Sequence, residues 1–433
     1  MSPCEGFEGW IGWPSRSARS CREGSGLERA VAGSTFRSRE SVAAMTTSRS
    51  FALICTVGVF CFISYNMVRM PALSLFAESL GAGPERIGLV VSVSTLTGVL
   101  LKLPAGALSD LYGRRMLLRV GVVAFGLPPF LYPFVSDVNV LTLLRFVHGL
   151  ATAVFAPSAL ATVAELYRER RGAALGTYTA CTQSGALLGP FLGGFLVHNA
   201  GFPTTFVTAG LFGCVGMALF YSLPLNVATP SVQDKRLAAV WSEMWKGFAA
   251  VARNTKVLVT SVTDAAKMIA NGALMAFLPL YGVKAGLNPG EVGLLFSVQA
   301  FTSFFSKPIM GRVSDRIGRR PLILFGLLVC AATFVCIPRV SLFPALLVLS
   351  AGFGFGEAVV SSSSSALVAD SSEFKRLGAG MGMQGTIMDI GHASGPLLAG
   401  LLIARLSYEE AFAVIAAIQL AAGGLFWAAT RRR

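Results

Sequence analysis

Residues 106–115 read Gly106-Ala-Leu-Ser-Asp110-Leu-Tyr-Gly113-Arg114-Arg115, and residues 311–320 read Gly311-Arg-Val-Ser-Asp315-Arg-Ile-Gly318-Arg319-Arg320. The two segments lie 205 residues apart, and the match continues upstream as far as Gly81 and Gly286. Further along the chain the offset becomes 206, where Gly185, Gly189 and Pro190 recur as Gly391, Gly395 and Pro396. Self-similarity over this length indicates two copies of one structural unit.

The composition predicts that the solvent of this protein is a lipid bilayer. Of the 433 residues, 54% are hydrophobic and only 13% are charged, whereas a soluble protein has about 25% charged residues. The mean hydropathy is +0.65. These values exclude a water-soluble domain, an intrinsically disordered chain, a collagen-like fibre and a small disulfide scaffold.

Twelve apolar runs are long enough to cross a bilayer as helices, since a crossing needs about 20 residues. They lie near residues 50–77, 86–108, 116–136, 139–165, 172–199, 203–224, 256–283, 291–312, 320–339, 341–369, 375–404 and 408–429. The repeat offset carries span 2 onto span 8 and span 5 onto span 11. We therefore predict an all-α membrane protein with 12 transmembrane helices in two six-helix bundles, 49–224 and 256–430, related by a parallel pseudo-repeat.

Basic residues predict the orientation of this multi-pass protein in the cell membrane (plasma or inner). If both termini are cytoplasmic, twenty Lys and Arg residues flank the inner side of the spans and four flank the outer side, which fits the positive-inside rule. Because these residues are spread over many short loops, a nucleic-acid partner is not expected. The linker 225–255 is expected to lie partly as an amphipathic helix at the inner surface. Two interpretations of residues 1–48 stay open: a disordered tail, or a stretch that is untranslated before Met45.

With twelve spans, two halves and a doubled Gly–Asp–Gly–Arg–Arg loop, the chain resembles the 12-span proton-coupled drug and metabolite antiporters of the major facilitator superfamily. The resemblance implies that the doubled loop latches the two halves on the cytoplasmic side. It implies a charge relay of Asp110, Arg114 and Glu165, with a second copy in the other half. The complete predicted latch comprises Gly106, Asp110, Gly113, Arg114, Arg115, Glu165, Gly311, Asp315, Gly318, Arg319, Arg320 and Asp370. The alternative is a loop whose basic residues serve only to orient the chain in the membrane, as the positive-inside rule describes.

Two further segments resemble motifs of the same family. On span 4, Arg145 and His148 lie one turn apart in an apolar run, and an intramembrane Arg is costly unless it is paired or hydrated. The resemblance ties this segment to proton coupling, although an Arg that only fixes neighbouring helices remains the alternative. On span 5, a small-residue face matches the family's antiporter motif, which accompanies exporters; generic helix packing is the alternative. Its residues are Gly185, Gly189, Pro190, Gly193 and Gly194.

Other ionisable residues lie deep in the spans. Asp264 and Lys267 are one turn apart and are expected to neutralise each other. Glu357 and Asp389 have no basic partner on their own helix, so we expect them to bind and release protons. The predicted proton or substrate site comprises Arg69, Arg145, His148, Asp264, Lys267, Glu357, Asp389 and His392. Lys102 and Lys307 lie near inner span ends and are expected to snorkel outside the cavity.

The sequence contains no ATP-binding P-loop and no catalytic motif, and no cofactor or metal is expected. We therefore interpret the chain as a secondary transporter rather than an enzyme. The favoured function is proton-coupled efflux (antiport) of a small organic compound by a monomer, with protons and the lipid bilayer as the other partners. Two alternatives stay open: a proton-coupled uptake symporter, and a non-transporting scaffold or receptor on the same fold.

Overall fold

The computed structural model of the chain describes residues 49–167, 170–223, 253–371 and 377–431, with side chains placed except at 103–112 and 377–379. Within these segments the chain forms twelve long helices, two short 3-10 helices (Pro128–Phe134 and Ile337–Arg339) and no strand, which confirms the predicted all-α fold. The helices are α1 (Arg49–Ser79), α2 (Pro84–Tyr112), α3 (Arg114–Gly126), α4 (Val138–Leu166), α5 (171–200), α6 (202–221), α7 (Thr255–Lys284), α8 (Pro289–Ile317), α9 (Arg319–Cys336), α10 (Phe343–Ser371), α11 (Leu377–Ile403) and α12 (Tyr408–Arg431). The tail 1–48 and most of the linker 225–255 lie outside the described residues.

Helices α5 and α6 form one helical run, Arg171–Tyr221, that bends at Gly201. The run has 51 residues and would be roughly 77 Å long if it were straight, more than twice the thickness of a bilayer core. Gly201 has a φ of 78° and a ψ of 175°, which interrupts the helical geometry. The run therefore crosses the bilayer twice, and its break falls between the two predicted spans.

Helix α8 carries more polar side chains than a lipid-facing helix usually does. Ten helical stretches in the described part of the chain are long and apolar enough to span a membrane, with Arg171–Tyr221 counted once, and α8 is not among them. Its polar side chains have a structural reason, because Gln299, Ser303 and Lys307 line a cavity rather than face lipid. Because α8 lines this cavity, it can cross the membrane although its mean hydropathy is lower than that of a typical spanning helix.

Several helices begin at polar caps that satisfy free backbone N–H groups. The Asp137 carboxylate accepts hydrogen bonds from Asn139 N at 2.7 Å and Val140 N at 3.2 Å at the start of α4. These two bonds lower the pKa of Asp137, since they favour its charged form. At the start of α8, Asn288 and Glu291 form a reciprocal capping box.

Each half contains the same tight helix pair. In the first half, Gly185, Gly189 and Gly193 of α5 bring that helix against the backbone of α1. In the second half, Gly391 and Gly395 of α11 approach α7 in the same way. Gly185, Gly189 and Gly193 of the pattern predicted on span 5 therefore pack within one half, whereas Pro190 and Gly194 approach α8 of the other half. The repeat in sequence is also a repeat in packing.

The two halves meet through α5 with α8 and through α2 with α11. We define the basic end as the end of the bundle where Gly113 and Gly318 join α2 to α3 and α8 to α9, and the far end as the opposite one. At the far end a Cβ on Gly293 would collide with the Pro190 carbonyl, and Gly88 and Gly400 are similarly confined. At the basic end, Gly172 of α5 and Gly382 of α11 have no atom within 4 Å of such a Cβ. The described glycines therefore place the halves in close contact at the far end, and they leave open space beside Gly172 and Gly382 at the basic end.

We expect Gly293→Ala to destabilise this arrangement. The added methyl group would meet backbone of α5, which cannot rotate away as a side chain can, at a cost of about 1–3 kcal/mol. The thermal unfolding midpoint of the purified protein should fall. The matched control is Gly382→Ala, where the methyl group enters open space and the midpoint should hold or rise slightly. Equal midpoints for the two variants would contradict the close approach.

Candidate functional site

Three adjoining cavities lie between the two halves. The first, of about 250 Å³, is lined by α1, α5, α7, α8 and α10; the second, of about 300 Å³, by α1, α2, α4, α5 and α11; the third, of about 350 Å³, by α2, α7 and α11. Gln183 lines both the first and the second, and Asn271 both the first and the third. Asp389 and His392 line both the second and the third. The shared residues make these cavities one central site.

An ion pair joins the two halves inside this site. Lys102 Nζ of α2 lies 2.5 Å from Asp389 Oδ2 of α11. The side chains are 40% and 29% exposed, and both residues line the second and third cavities. The prediction that Lys102 snorkels outside the cavity is therefore wrong, and Asp389, which has no basic partner on its own helix, has one on α2. Position along a span does not reveal which face of α2 turns toward the other half.

A second polar contact joins the halves at Arg69. Arg69 Nη2 lies 2.8 Å from His392 Nε2 of α11 and 3.2 Å from Thr95 Oγ1 of α2, to which it donates. Because a guanidinium has no acceptor, His392 Nε2 must accept, which assigns the neutral ring with its proton on Nδ1. The Tyr65 ring also lies beneath Arg69, 5.8 Å from its guanidinium carbon. Tyr65 was not predicted, although it lies one turn before Arg69 on the same helix face.

Glu357 of α10 is a cavity carboxyl with an uncharged partner. Asn271 Nδ2 of α7 donates to Glu357 Oε2 at 3.4 Å. Among the residues whose side chains are placed, no Lys, Arg or His nitrogen forms an ion pair with it. Lys307 lines the same first cavity, with aromatic rings such as Phe304, so the prediction that Lys307 lies outside is also wrong. An acid, a base and aromatic surface thus face one space.

Asp264 and Lys267 form the ion pair that their spacing predicts. Lys267 Nζ lies 2.8 Å from Asp264 Oδ1, and both side chains are fully buried. Gln384 Nε2 donates to Asp264 Oδ2 at 3.0 Å, and Lys267 Nζ donates to Ser361 Oγ at 2.5 Å. Neither charged residue lines any of the three cavities. The pair lies inside the second half, between α7, α10 and α11.

Arg145 and His148 are fully buried, one layer behind the cavity wall. Arg145 Nη2 donates to Ser94 Oγ at 2.6 Å, and its guanidinium carbon lies 5.6 Å from the Tyr65 ring centroid. The Tyr132 hydroxyl lies 3.0 Å from His148 Nδ1. Ser94 and Tyr65 line the second cavity, whereas Arg145 and His148 do not. The structure therefore brings these two predicted site residues near the cavity but not into it.

The doubled loops form equivalent turns and ion pairs at the basic end. Gly113 and Gly318 have φ values of 85° and 104°, a region that a side chain would disfavour, which explains glycine at both turns. Arg114 forms an ion pair with Glu165 of α4 and donates to Ala161 O at 3.0 Å.

Arg319 repeats this pattern in the second half. It pairs with Asp315 at 2.5 Å and with Asp370 of α10 at 3.2 Å. Gly106 and Asp110 belong to α2, but their side chains lie outside the described part of the chain. The ion pairs of Arg114 and of Arg319 each stay within one half, so these pairs do not join the halves in this conformation.

Comparison with known proteins identifies the family. The profile of the Major Facilitator Superfamily matches residues 54–288 and, in a second match, residues 265–433. The multidrug resistance protein MdtG of Klebsiella pneumoniae is 28% identical over 375 residues, covering 83% of this chain and 89% of that protein. An MFS-type transporter of Methanocaldococcus jannaschii, described as uncharacterized, is 22% identical over 337 residues, covering 77% of this chain and 86% of that protein.

Solved structures agree on the fold. The nucleoside transporter NupG superposes with a TM-score of 0.72 at 12% identity, covering 89% of this chain and all of that one. A bacterial homologue of the human lysosomal transporter Spinster gives 0.72 at 14% identity, covering 89% and 97%. The two repeated six-helix bundles, the central cavities between them and the profile match together show that this chain belongs to the Major Facilitator Superfamily and is a multi-pass membrane transporter.

Proposed function

We propose that this transporter exports small amphipathic organic compounds in exchange for protons, by alternating access of the central site to the two membrane faces. The observation that carries the proposal is Glu357, a carboxyl without a described ion-pair partner in a cavity lined by amides and aromatic rings. Two further observations support it: relatives at 27–28% identity bear the name multidrug resistance protein, and α5 carries the glycine–proline pattern of exporters.

Proton exchange at Glu357 requires that proton and substrate compete. When the site opens to the acidic outside, Glu357 takes up a proton. When the site opens inward, a substrate that donates a hydrogen bond or carries positive charge favours the carboxylate form, so the proton leaves as the substrate binds. The aromatic rings of Phe296 and Phe304 provide apolar surface for the rest of such a compound.

The open space beside Gly172 and Gly382 at the basic end supports an inward-open state for this conformation. The excess of Lys and Arg at that end supports a cytoplasmic location for it and for both termini, and a cell membrane of bacterial inner-membrane type. In the outward-open state the basic end closes, and the loops around Arg114 and Arg319 latch the halves. Arg69 acts as a movable counter-charge in the cavity, and Arg145 acts on the site by positioning Tyr65 and Ser94.

The proposal is tested in everted membrane vesicles containing the protein, with a panel of fluorescent lipophilic compounds that are cationic, neutral or anionic. An acidic vesicle interior should drive at least one compound inward, against its own gradient, with loss of protons from the interior. Movement of the compound out of acidic vesicles would instead indicate a symporter. Absence of both driven transport and counterflow for the whole panel would favour a scaffold or receptor.

We expect Glu357→Gln to abolish pH-gradient-driven transport and to keep substrate counterflow, because the amide retains shape and hydrogen bonding but cannot exchange a proton. Transport and counterflow are measured in the same vesicles. Glu409→Gln is the matched control. Glu409 is an exposed carboxyl in the first turn of α12, at the far end of the bundle and away from the central cavities. Full gradient-driven transport by Glu357→Gln would remove this residue from the coupling.

A double-mutant cycle should detect the Lys102–Asp389 pair. Lys102→Met and Asp389→Asn each leave one charge without its partner, whereas the double variant leaves neither. Because the pair is partly exposed, the coupling is expected to be only about 0.5–1 kcal/mol, measured as recovery of the thermal unfolding midpoint in the double variant. The control is Lys284→Met at the far end, which should behave additively with Asp389→Asn. Additive effects for the Lys102 cycle would show that the pair does not hold the halves together.

A further inference from the structure

Helices α7 and α10 are joined by two polar contacts that lie one turn apart. Lys267 Nζ contacts Ser361 Oγ at 2.5 Å, and Asn271 Nδ2 contacts Glu357 Oε2 at 3.4 Å. On α7 the two donors are four residues apart, and on α10 the two acceptors are four residues apart in the opposite chain direction. Along the axis of α10, Glu357 and Ser361 are therefore about 6 Å apart, which is roughly one helical turn. A rotation of the long Lys267 side chain spans that distance.

The present counter-ion of Lys267 has a second donor. Asp264 Oδ2 accepts a hydrogen bond from Gln384 Nε2 of α11 at 3.0 Å, in addition to the ion pair on its other oxygen. If Lys267 moves away, Asp264 keeps one donor. Lys267 has the opposite constraint, because a fully buried ammonium needs a nearby anion. Two carboxyls within its reach can serve in turn.

We propose that Lys267 is a positioning residue that moves between Asp264 and Glu357 as Glu357 loses and regains its proton. With Glu357 protonated, Lys267 pairs with Asp264, as in this structure. When Glu357 is ionised, Lys267 moves one turn along α7 toward it, and Gln384 holds Asp264. The proton leaves through the cavity, and no charge crosses between the halves in this step. The inference rests on the proposed proton exchange at Glu357 and names the group that governs it.

Other titratable groups face the same region from each neighbouring helix. They are Lys307 of α8, Cys330 of α9, and Asp389 and His392 of α11. Lys307 is a half-buried residue of the cavity lining, and Asp389 is paired with Lys102. Helices α1 and α5 line the first cavity with neutral side chains such as Met70 and Gln183. Lys267 is fully buried, and its ammonium interacts electrostatically with Glu357.

The test titrates Glu357 directly in purified protein in lipid nanodiscs, with protons as the only ligand. The signal is the infrared C=O stretch of the protonated acid, identified by its loss in Glu357→Gln. The decisive variant is the double replacement Asp264→Asn with Lys267→Met, which removes both buried charges and leaves neither unpaired. A static pair presents little net charge to Glu357, so its removal would leave the titration midpoint in place. Exchange of Lys267 predicts a rise of about one pH unit, because ionised Glu357 loses its cation.

Asp264→Asn alone should move the midpoint the other way, to lower pH, since Lys267 is then free to pair with Glu357. Ser361→Ala removes the polar contact that holds Lys267 in its present place and should shift the midpoint in the same direction. Ser362→Ala is the matched control, because Ser362 Oγ donates to Ala358 O of its own helix at 2.8 Å and should have no effect.

An unchanged or lowered midpoint in the double variant overturns the inference. If Asp264→Asn fails to fold, the double variant and Ser361→Ala still decide. The readout does not depend on transport, so the inference and the proposed function can fail separately. A further outcome is that the midpoint rises in the double variant and falls in Asp264→Asn while Glu357→Gln still shows gradient-driven transport. That result would support the movement of Lys267 and reject proton coupling at Glu357.

Discussion

An ionisable side chain among helices in a bilayer must find its partner within the protein, and this constraint organises the central region of the molecule. Arg145 is buried against a serine, a tyrosine and an aromatic face. Asp264 and Lys267 neutralise each other in a closed pocket. Asp389 reaches across the gap between halves to Lys102. Glu357 has a neutral amide as its described partner, which is why the proposed proton exchange centres on it.

A second constraint is the close approach of helix backbones. The glycines of α5 bring it against α1 on one side and α8 on another, and those of α11 do the same with α7 and α2. Each of these two helices therefore belongs to its own half and also forms the contact with the other half. The same small-residue stripes that build each bundle also set the line along which the bundles meet. Fold and site are in this way positioned by the same residues.

Much of this architecture was predictable from the sequence. The offset of 205 residues indicated the two-bundle organisation, because a duplicated unit folds twice and its span count fixes the relative orientation of the copies. The pairing of Asp264 with Lys267 followed from helical spacing. Lys102 was misplaced because spacing within one helix says nothing about which face turns toward a neighbouring helix. Contacts such as Arg69 with His392 join residues 323 positions apart, and only the packing of the halves brings them together.

The far-end contact between the halves is made largely by backbone, at glycines such as Gly88 and Gly293, and without an ion pair among the described residues there. Backbone atoms do not titrate near neutral pH, so these glycine contacts do not themselves depend on the acidity at that membrane face. Gly88, Gly293 and Gly400 line none of the three central cavities. Substitutions in the cavity wall can therefore alter which compounds are accepted over evolutionary time, while the surface on which the two bundles close stays the same.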